Sequence, residues 1–394
     1  MNITTLKSVV IGGGIAGLAV ALVLRRAGAE VRVLEQAPEI GEVGAGLQIS
    51  PNGFVVLEKL GLGNALRAKS VRGQAVRLRD YKGHDVVRLD LARLPCGDYH
   101  FVHRADLVDI LERAARNAGV EIALGQQVAS LHTGQGASAT LGDGAVVEAD
   151  LLVGADGLQS RARQALNGTV APFFTRQVAW RALVAETGAE PEAQVFMGPH
   201  RHLVTYPLRG GRLRNIVAVQ ERANWHEESW HTEDTPENLR AAFEDFCPDA
   251  FALLERVERV HRWGLFRHPV AGKWFDGGVV LLGDAAHPTL PFMAQGANMA
   301  LEDAFALGRC LQEGEDLNRA LAAYQQMRAG RVRRVVETAS GNAWKYHLSF
   351  PPLRLAAHTA LRLGGALLPG RVVGQFDWIY GYDVTTEEIQ SVSR

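Results

Sequence analysis

Three sets of residues in this chain could do chemistry, and they lie far apart in sequence. Gly12, Gly14 and Gly17 have the spacing G-x-G-x-x-G within Val9-Val10-Ile11-Gly12-Gly13-Gly14-Ile15-Ala16-Gly17. Glycine at the first position permits a tight turn, at the second lets the backbone approach a pyrophosphate, and at the third lets a helix pack close to a sheet. Asp156 and Asp284 each stand just beyond a short apolar run, in Gly154-Ala155-Asp156-Gly157 and Gly283-Asp284-Ala285-Ala286-His287-Pro288. The carboxyl end of a buried strand is where α/β sheets bind ligands, and a carboxylate there can accept hydrogen bonds from sugar-like hydroxyls. His202 and Tyr206 are four apart in His202-Leu203-Val204-Thr205-Tyr206-Pro207. In a strand both would face one side, and imidazole is the side chain best matched to proton transfer near neutral pH. Each set also has a plainer reading. Asp-Gly commonly makes only a turn, Asp284 would serve as a helix N-cap, His202 as a surface strand histidine and Tyr206 as core packing.

The elements that must position these residues follow from hydrophobic periodicity. Val9–Ile11 reads as a buried strand and Ala16–Leu24 as a helix, whose first N–H groups are available to phosphates. A second strand, Val31–Leu34, ends in Glu35, 18 residues beyond Gly17. A carboxylate there suits the ribose hydroxyls of adenosine and argues against a 2′-phosphate. A helix is expected near Asn52–Leu60, and Gln74–Asp80 and Asp85–Leu89 alternate around Lys82-Gly83 as a hairpin with one wet face. Residues 106–118 return to helix, with Asp106 as first-turn acid or cap. Leu151–Val153 reads as buried strand, and 174–268 as antiparallel strands interrupted by a helix over Asn238–Phe246. Val279–Leu282 is again a buried strand, followed by helices over roughly 297–312 and 316–347. The fold class expected is α/β. A Rossmann-like dinucleotide-binding domain (1–70, 100–173 and 269–340) interleaves with an antiparallel-sheet substrate domain (71–99 and 174–268), ahead of a helical C-terminal region (341–394).

The 394 residues are 47% hydrophobic, enough for a large core, and the net charge of −1 implies no nucleic-acid surface. Cys96, Cys247 and Cys310 are far apart and make no C-x-x-C, which fits small buried core residues in a reducing cytoplasm and no metal site. The few residues before Val9 leave no room for a signal peptide, and no apolar run is long enough to span a bilayer. Leu353–Leu368 comes nearest, but Arg354, His358 and Arg362 share one helical face, so it reads as an amphipathic helix covering the core. Two arginines are few for a membrane-binding basic face.

The glycine fingerprint, the segment Gly154–Arg163 and the segment Gly283–Pro288, with Pro291 and Gln295-Gly296 after the last, make three motifs that together resemble the single-component FAD-dependent aromatic hydroxylases of the para-hydroxybenzoate hydroxylase type. The resemblance covers nearly the whole chain. Gly283–Asp303 and Asp377-Trp378-Ile379-Tyr380-Gly381-Tyr382-Asp383 look most like the salicylate hydroxylase, 3-hydroxybenzoate 6-hydroxylase and 6-hydroxynicotinate 3-monooxygenase branch. The resemblance implies roles position by position. Glu35 would hold the adenosine ribose, Arg104 the ribityl–phosphate region and Asp284 the ribityl chain. Asp156, supported by Ser160 and Arg163, would serve both FAD and the nicotinamide nucleotide. Gly44 to Ile49, with Gln48, would lie along the flavin, and Gly296 and Ala297 would aim a helix start at its C2 carbonyl region. Pro291 would wall the oxygen site, His202 and Tyr206 would bind and activate the substrate, and Gln295 would reach a substrate hydroxyl. His287 would be structural, and His200 is the rival to His202.

The reaction implied is reduction of FAD by NADH or NADPH, formation of a C4a-hydroperoxide with O₂, and hydroxylation of a small hydroxybenzoate-like acid. Only one G-x-G-x-x-G is present, so the nucleotide would dock transiently. Ala294 replaces a glycine common in the family and would tighten the pocket. Gln48 replaces a histidine of the hydroxynicotinate enzymes, which favours a benzoate over a pyridine. A hydroxypyridine-carboxylate monooxygenase, a quinone-pathway hydroxylase at the membrane, a plain NAD-dependent dehydrogenase and a non-catalytic flavin-binding protein are the competing readings. A homodimer is left open.

Overall fold

The computed structural model describes residues 1–41, 46–94, 97–134, 136–223 and 233–389. Its first layer is a six-stranded sheet in the order Phe275–Asp276, Val279–Leu281, Leu151–Gly154, Lys7–Ile11, Glu30–Leu34, Glu121–Ala123. All neighbours pair in parallel except the first two strands. The central strands Leu151–Gly154 and Val279–Leu281 are wholly apolar, and Lys7–Ile11 is apolar from Val9 on, because both faces are covered there. Val10, Val33, Leu151, Val153 and Val280 pack against helices Ile15–Arg26, Arg104–Asn117 and Gly296–Glu313. Alternate residues, Val9, Ile11, Leu34, Leu152 and Val279, pack against the meander Val128–His132, Ala137–Leu141, Val146–Ala149.

The second layer is an eight-stranded sheet in which Phe173–Ala185, Leu213–Glu221, Arg201–Leu208 and Glu192–Gly198 are central and antiparallel. The hairpin Ala75–Asp80/Asp85–Asp90 joins its edge by parallel pairing with Glu192–Gly198. Period-two alternation sorts the strand Arg201–Leu208. Leu203 packs with Phe196, Ile216 and the helix residues Leu239 and Phe243, while His202, Val204 and Tyr206 face a cavity between the layers. A small sheet of Gly46–Ile49, His100–His103 and Val71–Arg72 bridges the two layers.

Two local expectations differ from the structure. The helix expected over Asn238–Phe246 runs over Pro236–Ala242 and ends there, and a second helix, Pro248–Glu255, follows it. Thr235 caps the first by accepting from the Asn238 N–H, and each carries its proline in the first turn, where a missing N–H costs nothing. Asp106 is the first-turn acid of its helix, and the cap is His103, which accepts from the Ala105 N–H, while Asp106 pairs with Arg209 at 2.9 Å. The C-terminal helix Pro351–Leu367 turns its polar face inward. Arg362 donates to the Asp85 carbonyl at 2.8 Å, Arg354 lies over the Tyr81 ring and His358 is buried, whereas Leu355, Leu363 and Leu367 are exposed. Among the described residues no helix is long and apolar enough to cross a membrane. Cys247 and Cys310 are buried free thiols, and Cys96 lies outside the described residues.

Sequence periodicity gives no hint of the buried ionic cluster between helices Gly296–Glu313 and Leu317–Tyr346. Glu302, Asp303 and Arg328 are fully buried. Arg328 donates to Glu302 at 2.5 Å and to Asp303 at 2.8 Å, and Arg331 donates both to Glu302 at 2.8 Å and to the Trp378 and Ile379 carbonyls. Burial alone would raise the Asp303 carboxyl, but His287 and Arg328 outweigh it and hold it down at about 2. Removing one partner from such a cluster leaves an uncompensated buried charge, a loss of about 3–5 kcal/mol. Arg328→Ala is therefore expected to lower stability by about that amount in denaturant titration. A loss under about 1 kcal/mol would show that the cluster is not a structural keystone.

Candidate active site

A cavity of about 880 Å³ runs from the glycine turn to the eight-stranded sheet. At the glycine end, the three glycines are there for three different reasons. Gly12 has φ +105°, and a Cβ on it would lie 2.4 Å from the Ala155 carbonyl oxygen, so the turn seats directly on the second motif. A Cβ on Gly17 would lie 1.9 Å from the Gly12 oxygen. A Cβ on Gly14 would meet nothing within 4 Å. Gly14 is the N-cap of helix Ile15–Arg26 and supplies no side-chain cap, so the helix start opens into the cavity. Glu35 lines the same end, and its carboxylate accepts from the Gly13 N–H at 2.6 Å and the Ala37 N–H at 2.8 Å.

Asp284 sits in a 3-10 turn directly after Val279–Leu281 and caps no helix. It lines the cavity and accepts no hydrogen bond from another described residue. The surrounding protein pushes its carboxyl upward, an effect countered by His287 and by Arg104, which lines the cavity nearby. His287 is indeed structural, bonded to Asp303 at 2.5 Å and stacked near Trp274. Asp156 lines the cavity with Ser160 as its support, and its carboxylate is engaged locally. One carboxylate oxygen accepts from Ser160 Oγ at 2.6 Å and the other from the Arg161 N–H at 2.7 Å. It organises the start of helix Arg161–Asn167 while lining the cavity wall. Arg163 does the joining. It donates to the Pro269 carbonyl and lies within 3.5 Å of the Ala285 and Ala286 carbonyls, which ties the second motif to the third.

Gln295 lines the cavity with its amide already engaged. It is buried, accepts from Asn52 at 3.0 Å and donates to Ser50 Oγ at 3.0 Å, contacts that hold the loop. Asn298, which carried no sequence signal, bonds the Gln48 carbonyl, the Ala294 carbonyl and the Ser50 N–H. These contacts hold Gly46–Ile49 against the start of helix Gly296–Glu313, where Pro291, Gly296 and Ala297 line the cavity. Gln48 lines it too and accepts from Tyr99 Oη at 2.6 Å. Gly44 and Ala45 lie outside the described residues. Ala294 occupies the left-handed region at φ 51°.

At the sheet end His202 and Tyr206 both line the cavity. Tyr206 is walled by Phe101, whose ring centroid is 5.3 Å away, and by Gly46, on which a Cβ would lie 2.5 Å from the Tyr206 ring. Asn215, another residue without a sequence signal, fixes Gly46 by accepting from its N–H at 2.8 Å. Burial raises the Tyr206 hydroxyl pKa, so it remains a proton donor at neutral pH. Burial, then the neighbouring His347, push the His202 pKa well below its ordinary value, leaving a neutral imidazole. His200 is exposed, at φ 59° in the turn before the strand, and bonds Glu221 rather than facing the cavity. The glycine turn, the open space at Gly14 and the inward-facing Asp284 carboxylate together fit a flavin dinucleotide.

Two substitutions separate folding from cofactor binding. Gly14→Ala is expected to fold with an unchanged Tm and to bind FAD at least about tenfold more weakly, by fluorescence titration, because the methyl fills ligand space. Gly17→Ala should not fold, and equal FAD affinity in Gly14→Ala would sink this assignment. Ala294→Gly should raise stability by up to about 1 kcal/mol, since it relieves a left-handed alanine at some cost in backbone entropy. A lower Tm would contradict that.

Comparison with known proteins agrees with this geometry. A 3-hydroxybenzoate 6-hydroxylase of Polaromonas naphthalenivorans (strain CJ2) is 36% identical over 403 residues, covering 97% of this chain and 98% of that one. A 6-hydroxynicotinate 3-monooxygenase of Bordetella bronchiseptica (strain ATCC BAA-588 / NCTC 13252 / RB50) is 32% identical over 406 residues, covering 96% of each. The crystal structure of Klebsiella pneumoniae HpxO complexed with FAD and uric acid superposes with a TM-score of 0.83 at 26% identity, covering 95% of this chain and 97% of that one. Residues 5–339 match the model of the FAD binding domain family, and the chain belongs to that family.

Proposed function

We propose that this protein is an FAD-dependent monooxygenase that hydroxylates a small phenolic acid of the hydroxybenzoate class, with NADH or NADPH and O₂ as co-substrates. One observation carries the reading: His202 and Tyr206 face the same cavity into which the glycine turn and Asp284 open. When bound, FAD supplies the activation of O₂ and the delivery of one oxygen atom to an electron-rich ring. The chain supplies position and electrostatics. The neutral His202 takes the proton of the substrate hydroxyl, which makes the ring more electron-rich. Tyr206, held protonated by burial, donates a hydrogen bond to the substrate oxygen. Val76, Leu78, Val195, Val204 and Pro291 line the cavity and exclude water from the reacting centre. The start of helix Gly296–Glu313 directs N–H groups and a positive dipole end toward negative charge developing in the cavity.

A pyridine carboxylate is the second reading, favoured by the relative named for 6-hydroxynicotinate. Gln48, tied to Tyr99 at the cavity wall, favours the benzoate. The test is NADH and NADPH oxidation across hydroxybenzoates and hydroxypyridine carboxylates, with hydroxylated product and H₂O₂ both quantified. At least one hydroxybenzoate is expected to accelerate oxidation with product exceeding peroxide. A yellow FAD-loaded protein that turns over with none of the panel would overturn the proposal. Tyr206→Phe should lower kcat/KM about 10- to 100-fold, the worth of one hydrogen bond to a charged group, without loss of FAD.

A further inference from the structure

His202 does not stand alone behind the cavity wall. Its Nδ1 lies 2.7 Å from Nε2 of His347, the residue that ends helix Leu317–Tyr346. The Nδ1 of His347 lies 2.9 Å from Oε1 of Glu221, and Oε2 of Glu221 lies 2.7 Å from Nδ1 of His200. Both inner imidazoles are buried, whereas Glu221 and His200 reach solvent. The line of bonds therefore starts at the cavity and ends at the surface. Three segments distant in sequence build it. Backbone bonds from the Glu221 N–H to the His200 carbonyl (2.9 Å) and from the His200 N–H to the His347 carbonyl (3.2 Å) lock them together.

The outer carboxylate decides which nitrogen carries each proton. Partial burial alone would raise the Glu221 carboxyl, but hydrogen bonds from His200 and His347 bring it below its ordinary value, so it is ionised at neutral pH and can only accept. His347 must then carry its proton on Nδ1, which leaves Nε2 as an acceptor. His202 must in turn donate through its own Nδ1, which leaves the Nε2 lone pair for the cavity. That is the tautomer a general base requires. Burial, offset by Glu221, keeps His347 neutral at rest, and its position at a helix carboxyl end favours a transient positive charge. The other groups packed on the pair are the Tyr346 ring, which burial keeps protonated, and the uncharged Phe292 ring.

We propose that His347 and Glu221 act with His202 as a proton relay that sets the base and carries the substrate's hydroxyl proton to solvent. The inference rests on the hydroxylase reading above. The phenol O–H bond breaks with its electron pair left on oxygen, and the proton bonds to Nε2 of His202. The Nδ1 proton of His202 passes to Nε2 of His347, and the Nδ1 proton of His347 passes to Glu221, from which water or His200 takes it. Reprotonation of the product oxygen runs the same path backwards and restores both tautomers. His347 and Glu221 are thus positioning and relay residues that never touch the substrate.

The test uses the FAD-loaded enzyme in its oxidised form without NAD(P)H, so that no turnover occurs. Stopped-flow mixing with the best hydroxybenzoate of the panel follows two signals near neutral pH: the phenolate ultraviolet band and proton release to an indicator dye in weak buffer. In the wild type both are expected in one phase. Glu221→Gln keeps a hydrogen-bond acceptor but takes no proton, and it should slow both signals on the order of tenfold or more. His347→Phe should slow them further. Flavin absorbance and the Kd of benzoate, which has no hydroxyl to ionise, should stay unchanged in Glu221→Gln. Wild-type rates in Glu221→Gln would overturn the relay and leave the hydroxylase reading intact. A wild type that forms no phenolate with any phenol of the panel would overturn both. Glu221 is at the surface, so its variant tests the idea even where His347→Phe fails to fold.

Discussion

The arrangement depends on a charge cluster buried where two long helices cross. Glu302 and Asp303 are adjacent in one helix, and Arg328 reaches both from the other. From there bonds lead to the cofactor end of the cavity and to the C-terminal segment. Asp303 accepts from the Gly283 N–H at 3.0 Å and from His287, fixing the turn that aims Asp284. Glu302 accepts from Asn52, which donates also to Gln295 at the start of the helix facing the cavity. Arg331 extends the cluster to the Trp378 and Ile379 carbonyls. Burying these charges is costly, and only the full set of partners makes it tolerable. A partly satisfied version would be worse than an apolar core, so the cluster enforces one geometry of the third motif.

A second constraint is close approach between layers. Gly12 lies against Ala155, and Gly46 lies against Tyr206 and Asn215, both at distances that no side chain could occupy. The first contact joins the glycine turn to the second motif, and the second brings the strand Gly46–Ile49 onto the eight-stranded sheet. Together they set the cavity's two ends at a fixed separation. This makes the position of His202 relative to Asp284 a property of the backbone and not of flexible side chains.

Much of this was legible in the sequence, for identifiable reasons. Continuous apolar runs reveal the parallel strands, and a turn with G-x-G-x-x-G demands particular backbone conformations whatever follows. The four-residue spacing of His202 and Tyr206 is a strand period and survives folding as a shared face. The α/β class and the interleaving of sheet segments could be read in the same way. The local partners of Asp156 and Gln295 were not legible, because a polar side chain near a ligand site has two outlets. Asp156 found backbone N–H groups at a helix start, and Gln295 found Asn52 and Ser50.

Sequence alone determined which residues had to be glycine, which runs had to be strands, and that a dinucleotide had a place to bind, because those follow from local sterics and periodicity. Tertiary structure decided which polar groups are spent and which remain available. His347 lies 145 residues from His202 and Glu221 lies 126 residues from His347, so no local pattern could announce that they meet. The same holds for Asn298, Asn215 and Arg328. A hydrogen bond is a statement about two positions in space, and only the packed chain brings both ends within 3 Å.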